Sequence, residues 1–457
     1  MMEEEPLDFE KEDRLLSPTN KRRKVIRLDD LLSDFYEEKN KIAKYKSKHS
    51  SSSKGYNSDD DEKTQRKKER MLSKFVDDCQ KQVNEMNADD ETLLWGRRVF
   101  GQQKSLSSIE HKGLPDCQLL QLQSIADVNP VFDLDAKQGE SFLEGLLVNK
   151  WLSKLAFISG SVDDSIANWI FNKLLYSSNR ELQVSACEFW LEMLLSKDEV
   201  DKPLVSLGWF PNYSKLMEAL DSYGYQSDSS MCCSHTDQLD GPPENFRSWI
   251  KVVSACCQIR SHRSIFSSSE AEELLCIIIH LLLDRELQGL SLIINECMQS
   301  IIRYFKEEEW GVSCKRVAEL IASRIPKDLN SLRVVEFVSV TNNRSKQLRG
   351  ETALQLLILC FDKEVNNYEG VLEFLLSINV KDKDCDFLKL YIYLVLAENV
   401  LLSYDSDNKK FVTLDMWCKY LRKLSSQITN TDWRSYASKV RNKASYLLQS
   451  TIERRTS

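Results

Sequence analysis

The chain has 457 residues and a mass of 53.0 kDa, enough for two or three domains or one elongated array. Its 14 glycines and 9 prolines are about half the usual share; sheet-rich folds spend these residues on tight turns, so the scarcity argues against a sandwich, barrel or propeller. Acidic side chains outnumber basic ones 70 to 62, a net charge of −8, so no nucleic-acid-binding field covers the whole surface.

Residues 1–70 differ in kind from the rest. They hold 18 basic, 17 acidic and only 17 apolar side chains, too little apolar surface to offset chain entropy, so a disordered charged tail is expected. Within it, Lys21, Arg22, Arg23 and Lys24 follow Ser17-Pro18. Four clustered cations suit the acidic groove of an importin and predict localisation to the nucleus. Leu28, Leu31, Leu32, Phe35 and Tyr36 recur at i, i+3, i+4, i+7 and i+8, one face of a helix over 26–38. An amphipathic helix in such a tail is the pattern of a segment that folds into a partner's groove. The plainer reading is a helix that docks on the chain's own body. Ser58 ahead of Asp59-Asp60-Asp61-Glu62 is a candidate phosphorylation site in what otherwise reads as a solubilising linker.

Residues 71–138 read as a linker with the first helices, loosened by Pro115 and Pro130. Over 139–196 the spacing predicts three helices. Phe142, Leu143, Leu146, Leu147, Trp151, Leu152, Leu155 and Ala156 form one apolar stripe, Ser161 to Asp164 resembles a capping box, and Asn179 opens the third helix. Residues 223–243 read as an interior loop ending in Pro242-Pro243. Further helices are expected to about 453, among them 268–284 behind the Ser267-x-x-Glu270 box, 312–324, 350–362 and 431–453. No fixed repeat length recurs. The expected fold class is all-α, an irregular HEAT- or armadillo-like helical solenoid over 139–457 behind a disordered N-terminal tail.

Charge is uneven along the body. Residues 71–405 carry 33 basic and 49 acidic side chains, and residues 406–457 carry 11 and 4. At the basic end Lys419, Arg422, Lys423, Lys439, Arg441 and Lys443 interleave with Trp417, Tyr420, Trp433 and Tyr436. These cations are candidates for nucleic-acid contact; equally, they fit a solvated face on helices whose aromatics are core.

The motifs that carry chemistry are missing. Neither phosphate-cradling glycine loop occurs, nor H-E-x-x-H, G-x-S-x-G or C-x-x-C. The nearest metal-like set, Cys232, Cys233 and His235 with Cys256, Cys257 and His262, has no common ligand spacing. His280 in its apolar run reads as a satisfied core histidine. No catalytic residue, cofactor or metal ligand is assigned, and no enzymatic activity is expected. The 13 cysteines and the acidic opening Met1-Met2-Glu3 suggest reduced thiols in cytosol or nucleus. The longest apolar stretch, Leu274 to Leu283, has ten residues including His280 against the roughly 20 a bilayer span needs, so no membrane partner is expected.

The block Ile166-Ala-Asn-Trp169-Ile170-Phe171 through Cys187-Glu-Phe-Trp190-Leu191-Glu-Met193-Leu194-Leu195 resembles the CANIN domain family, and so does Trp95-Gly-Arg-Arg-Val-Phe100-Gly-Gln-Gln. The resemblance spans roughly 90–450 and looks closest to short plant members. It implies an all-helical, non-enzymatic subunit of the structural maintenance of chromosomes (SMC) five/six complex, acting in DNA repair and homologous recombination. The partners it implies are a second helical subunit (the fifth non-SMC element or an analogue), the neck and arms of the SMC heterodimer, and DNA through the complex. By position, Leu28, Leu31, Leu32, Phe35 and Tyr36 would be the tail's contact with the SMC core. Two alternatives stand beside it: a direct nucleic-acid binder using the 406–457 end, and a generic HEAT-like adaptor.

Overall fold

The computed structural model describes residues 95–104, 136–197, 202–226, 241–361, 365, 367–403 and 410–456. The tail, with its basic cluster and the expected 26–38 helix, lies outside them. Contacts divide the chain at Asp89/Asp90, and the described residues all belong to the second unit.

Among the described residues the fold is fifteen α-helices with almost no strand. The helices are α1 (Ala136–Val148), α2 (Trp151–Ser159), α3 (Asp164–Tyr176), α4 (Arg180–Leu195), α5 (Tyr213–Ser222), α6 (Asn245–Gln258), α7 (Ser268–Leu281), α8 (Ser291–Tyr304), α9 (Glu307–Arg324) and α10 (Leu329–Phe337). They continue with α11 (Asn343–Cys360), α12 (Tyr368–Ser377), α13 (Phe387–Ser403), α14 (Lys410–Gln427) and α15 (Ala437–Thr456). A 3-10 turn, Arg285–Leu290, leads into α8, and the two-residue strands Ser161–Val162 and Ser206–Leu207 pair in parallel.

Local chemistry starts these helices where it should. Asp163, Asn179, Asn212, Ser267, Asp328, Asn342 and Asn367 each accept a hydrogen bond from a first-turn N–H. Each such cap is worth about 1 kcal/mol. The Ser267–Glu270 box forms as expected. At 161–164 the cap is Asp163, whose Oδ1 accepts the Ser165 N–H at 2.8 Å, while Ser161 sits in the short strand. The expected starts at 312, 350 and 431 are also corrected: α9 begins at Glu307, α11 at Asn343 and α15 at Ala437. α9 opens on Glu307-Glu308-Glu309 and α11 on Asn343-Arg344-Ser345-Lys346, so apolar periodicity registers neither start.

The largest difference lies in 139–196, where four helices replace three. The stripe from Phe142 to Ala156 breaks at Asn149-Lys150, with Lys150 in the left-handed region at φ 61°. Of the described part of 71–138, residues 95–104 are an extended strap without helix.

Helices pack on their next-nearest neighbours in sequence: α4 on α6 and α6 on α8, then α7 on α9, α9 on α11, α11 on α13 and α13 on α15. One contiguous apolar core runs from Val99 to Leu447. In α7, Leu274 through Ile279 are all buried, as a helix apolar all round requires. One buried polar node ties α8 to the turn before α11. Gln299 Oε1 accepts from Asn342 Nδ2 at 2.9 Å and Ser345 Oγ at 3.0 Å, and its Nε2 donates to Ser339 Oγ at 3.0 Å.

Candidate functional site

The strap 95–104 carries one of the two blocks on which the family resemblance rests. Its backbone is bonded on both sides. The Arg97 N–H donates to Leu283 O at 2.9 Å and the Gly96 N–H to Asn330 Oδ1 at 2.8 Å. On the other side the Gly101 N–H donates to Gly224 O and the Gln226 N–H to Val99 O. Gly224 must be glycine: at φ 88° a Cβ would meet Gln102 O at 2.7 Å. Trp95 is half-buried, edge-on to Phe337, with the Arg285 and Arg333 guanidinium groups over its ring. The second block is core: Ile166, Trp169, Ile170, Phe171, Cys187, Phe189, Trp190, Met193 and Leu194 are all buried. Both blocks therefore hold the fold together rather than display chemistry.

The basic C-terminal residues are separated by their partners. Lys423 Nζ donates to the carbonyls of Leu376 and Ile378 at 2.6 Å each, closing the C-terminal end of α12. Lys443 pairs with Glu398 at 2.8 Å and Lys419 with Asp415 at 2.9 Å. Lys439 lies over the Tyr436 ring, Arg441 is half-buried and Arg422 is exposed. Trp417, Tyr420 and Tyr436 are buried, whereas Trp433 is 82% exposed. Arg434 anchors the Trp433 loop through Asp432 and the Val380 and Asp382 carbonyls. Of the six candidate cations, two serve as internal cross-links.

Another surface went unread in the sequence. On α2, Trp151 is 53% exposed and Ile158 83%, with Leu155 and Phe157 also outward and Phe142 exposed on the adjoining α1. Lys154 Nζ sits 4.5 Å from the centre of the Trp151 ring. Trp151, Leu155 and Ile158 stand at i, i+4 and i+7, one stripe beside the face that buries Leu152 and Ala156. The signal was available: from Trp151 to Ile158 only Ser153 and Lys154 are polar. Such a helix needs apolar cover on more than one side.

Buried groups offer little reactivity. Burial pushes the Cys256 and Cys276 thiols up to about 12 and raises Cys257 as well, so thiolate is scarce at neutral pH. Cys256 and Cys257 are buried, while His262 is exposed; Cys232, Cys233 and His235 lie outside the described residues. Among the described residues no group of three or more metal-ligating side chains comes together, and no helix is long and apolar enough to cross a membrane. His280 is buried as expected, with Nδ1 3.2 Å from Tyr225 Oη, but its Nε2 has no hydrogen-bond partner. Burial, reinforced by Arg97 and Arg324, lowers its pKa to about 4. No protein-family model matches the chain, and no curated protein matches it.

Proposed function

We propose that this chain is a non-enzymatic scaffold subunit that acts through protein–protein contacts. The observation that carries the proposal is the apolar face of α2. Monomeric surfaces rarely gather several large apolar side chains on one helix face, and such patches mark interaction sites. Next-nearest helix packing favours an irregular solenoid as the architecture that presents this face. The resemblance of the Trp95–Gln103 and Ile166–Leu195 blocks to CANIN-domain subunits gives the biological setting: a nuclear loader of the SMC five/six complex, in DNA repair and recombination, paired with a second helical subunit. In this reading the tail residues Lys21–Lys24 supply nuclear import and the 26–38 helix a contact with the SMC core.

Affinity purification of the tagged full chain from nuclear extract tests it. Recovery of SMC or non-SMC-element subunits is expected, and recovery of none counts decisively against the proposal. A second reading, direct nucleic-acid binding at the basic end, rests on the exposed Trp433 and Arg422. The internal use of Lys423 and Lys443 weakens it.

A further inference from the structure

We infer that the groove between α7, α9 and α11 is a docking site for a lysine- or arginine-bearing apolar segment of a partner protein, with the Glu272 carboxylate as its acceptor. The groove has a volume of about 590 Å³ and is lined by Leu320, Ile358 and Leu359 together with Glu272, Arg316 and Glu319. Glu272 stands in the first turns of α7 with its side chain only 5% exposed. Its Oε1 accepts no hydrogen bond. Arg316 Nη1 forms a loose ion pair with this oxygen at 3.7 Å, too long for a hydrogen bond, and the Arg316 side chain is 61% exposed.

A buried carboxylate oxygen without a donor is costly. The adjacent residue shows what this helix does when an acid serves stability: Glu273 takes a close pair with Arg324 at 2.8 Å. Glu272 instead opens onto a groove whose half-buried aliphatic side chains fit the stem of a long basic residue. Its charged tip then reaches Oε1 once Arg316 swings outward. Charge points the same way. Two carboxylates face one arginine here, within a stretch, 71–405, that holds 49 acidic and 33 basic side chains. A cationic segment is drawn in, and an anionic one is repelled. The inference rests on the scaffold reading and names the chemistry of one partner element.

The test titrates the full chain, labelled with 13C at isoleucine and leucine methyls, with a synthetic amphipathic peptide bearing a leucine stripe and flanking lysines. A second peptide has the same lysines acetylated. The lysine peptide shifts the Ile358 and Leu359 methyls and the acetylated peptide does not. Glu272→Gln weakens binding by about tenfold or more, the loss of one charge-assisted hydrogen bond. Arg316→Ala removes the competing cation and strengthens binding several-fold, while Arg303→Ala, an equal charge change away from this groove, leaves it unchanged. Thermal melts confirm that each variant is folded. Equal binding of the acetylated peptide, indifference to Glu272→Gln, or no shift at Ile358 with millimolar peptide overturns the inference. If wild type and Glu272→Gln recover the same partners in equal yield from nuclear extract, the groove inference fails and the scaffold reading stands.

Discussion

Asp284 fastens Val99 to the body across 185 residues of chain: its Oδ2 accepts the Val99 backbone N–H at 3.0 Å while Oδ1 accepts that of Glu286, also at 3.0 Å. The carboxylate thus caps the 3-10 turn before α8 and pins the strap with one group. Asp284→Ala leaves the buried Val99 N–H without an acceptor and removes the cap. It is expected to lower unfolding free energy by about 2–3 kcal/mol in urea titrations and to make the strap exchange amide hydrogen faster. Unchanged exchange at Val99 would show that the strap holds without it.

His280 makes stability depend on pH. Burial, with Arg97 and Arg324 nearby, lowers its folded pKa from 6.5 to about 4. The unfolded chain therefore binds its proton first as pH falls. Stability from this group is full above pH 6.5 and lost down to about pH 4, by about 3 kcal/mol. Asp284 works in the opposite sense, because desolvation raises its folded pKa, so its contribution is favourable at low pH and fades as pH rises through that value. His280→Phe should flatten the decline between pH 6.5 and 4. An undiminished slope would place the titrating group elsewhere.

Lys423 and Arg422 are adjacent in sequence and opposite in role. Lys423→Met removes two bonds to the carbonyls of Leu376 and Ile378 and is expected to cost about 1–3 kcal/mol, read by urea denaturation. Arg422→Ala should leave stability unchanged. Gel shifts with the full chain should show no nucleic-acid binding at low salt; binding reduced by Arg422→Ala and Trp433→Ala would favour the second reading instead.

The tail makes its own prediction from sequence. Leu31→Asp with Phe35→Asp puts charge on the predicted 26–38 face and should abolish one partner contact. The circular dichroism and melting temperature of the protein should not change. Co-purification of every partner in unchanged yield would refute the tail assignment.

How far the sequence could be read depended on whether a signal was local. Ser267, Asn179 and the long apolar run of α7 announced themselves because a cap or a periodic stripe is a property of a few neighbouring residues. The break at Asn149-Lys150 did not, since neither residue is a strong breaker and the stripe runs on across it. The basic end was legible only as composition, for a related reason. Composition counts Lys423 and Lys443 as surface charge, but only tertiary contact shows that they hold α12 and Glu398. The α2 face was hidden because Trp151 and Leu155 fit a buried stripe equally well, and exposure is decided by which helix arrives to cover them. Glu272 was not legible at all: nothing near it in sequence shows that Arg316 stops short.

The scaffold role proposed above requires another protein to sit on the apolar face of α2. The direct measurement is quantitative affinity purification from nuclear extract of the wild-type chain against Trp151→Asp with Ile158→Asp. Both side chains point to solvent, so the variant should melt as the wild type does. The variant is expected to lose at least one stoichiometric protein partner. A folded variant that retains every partner of the wild type would contradict that role.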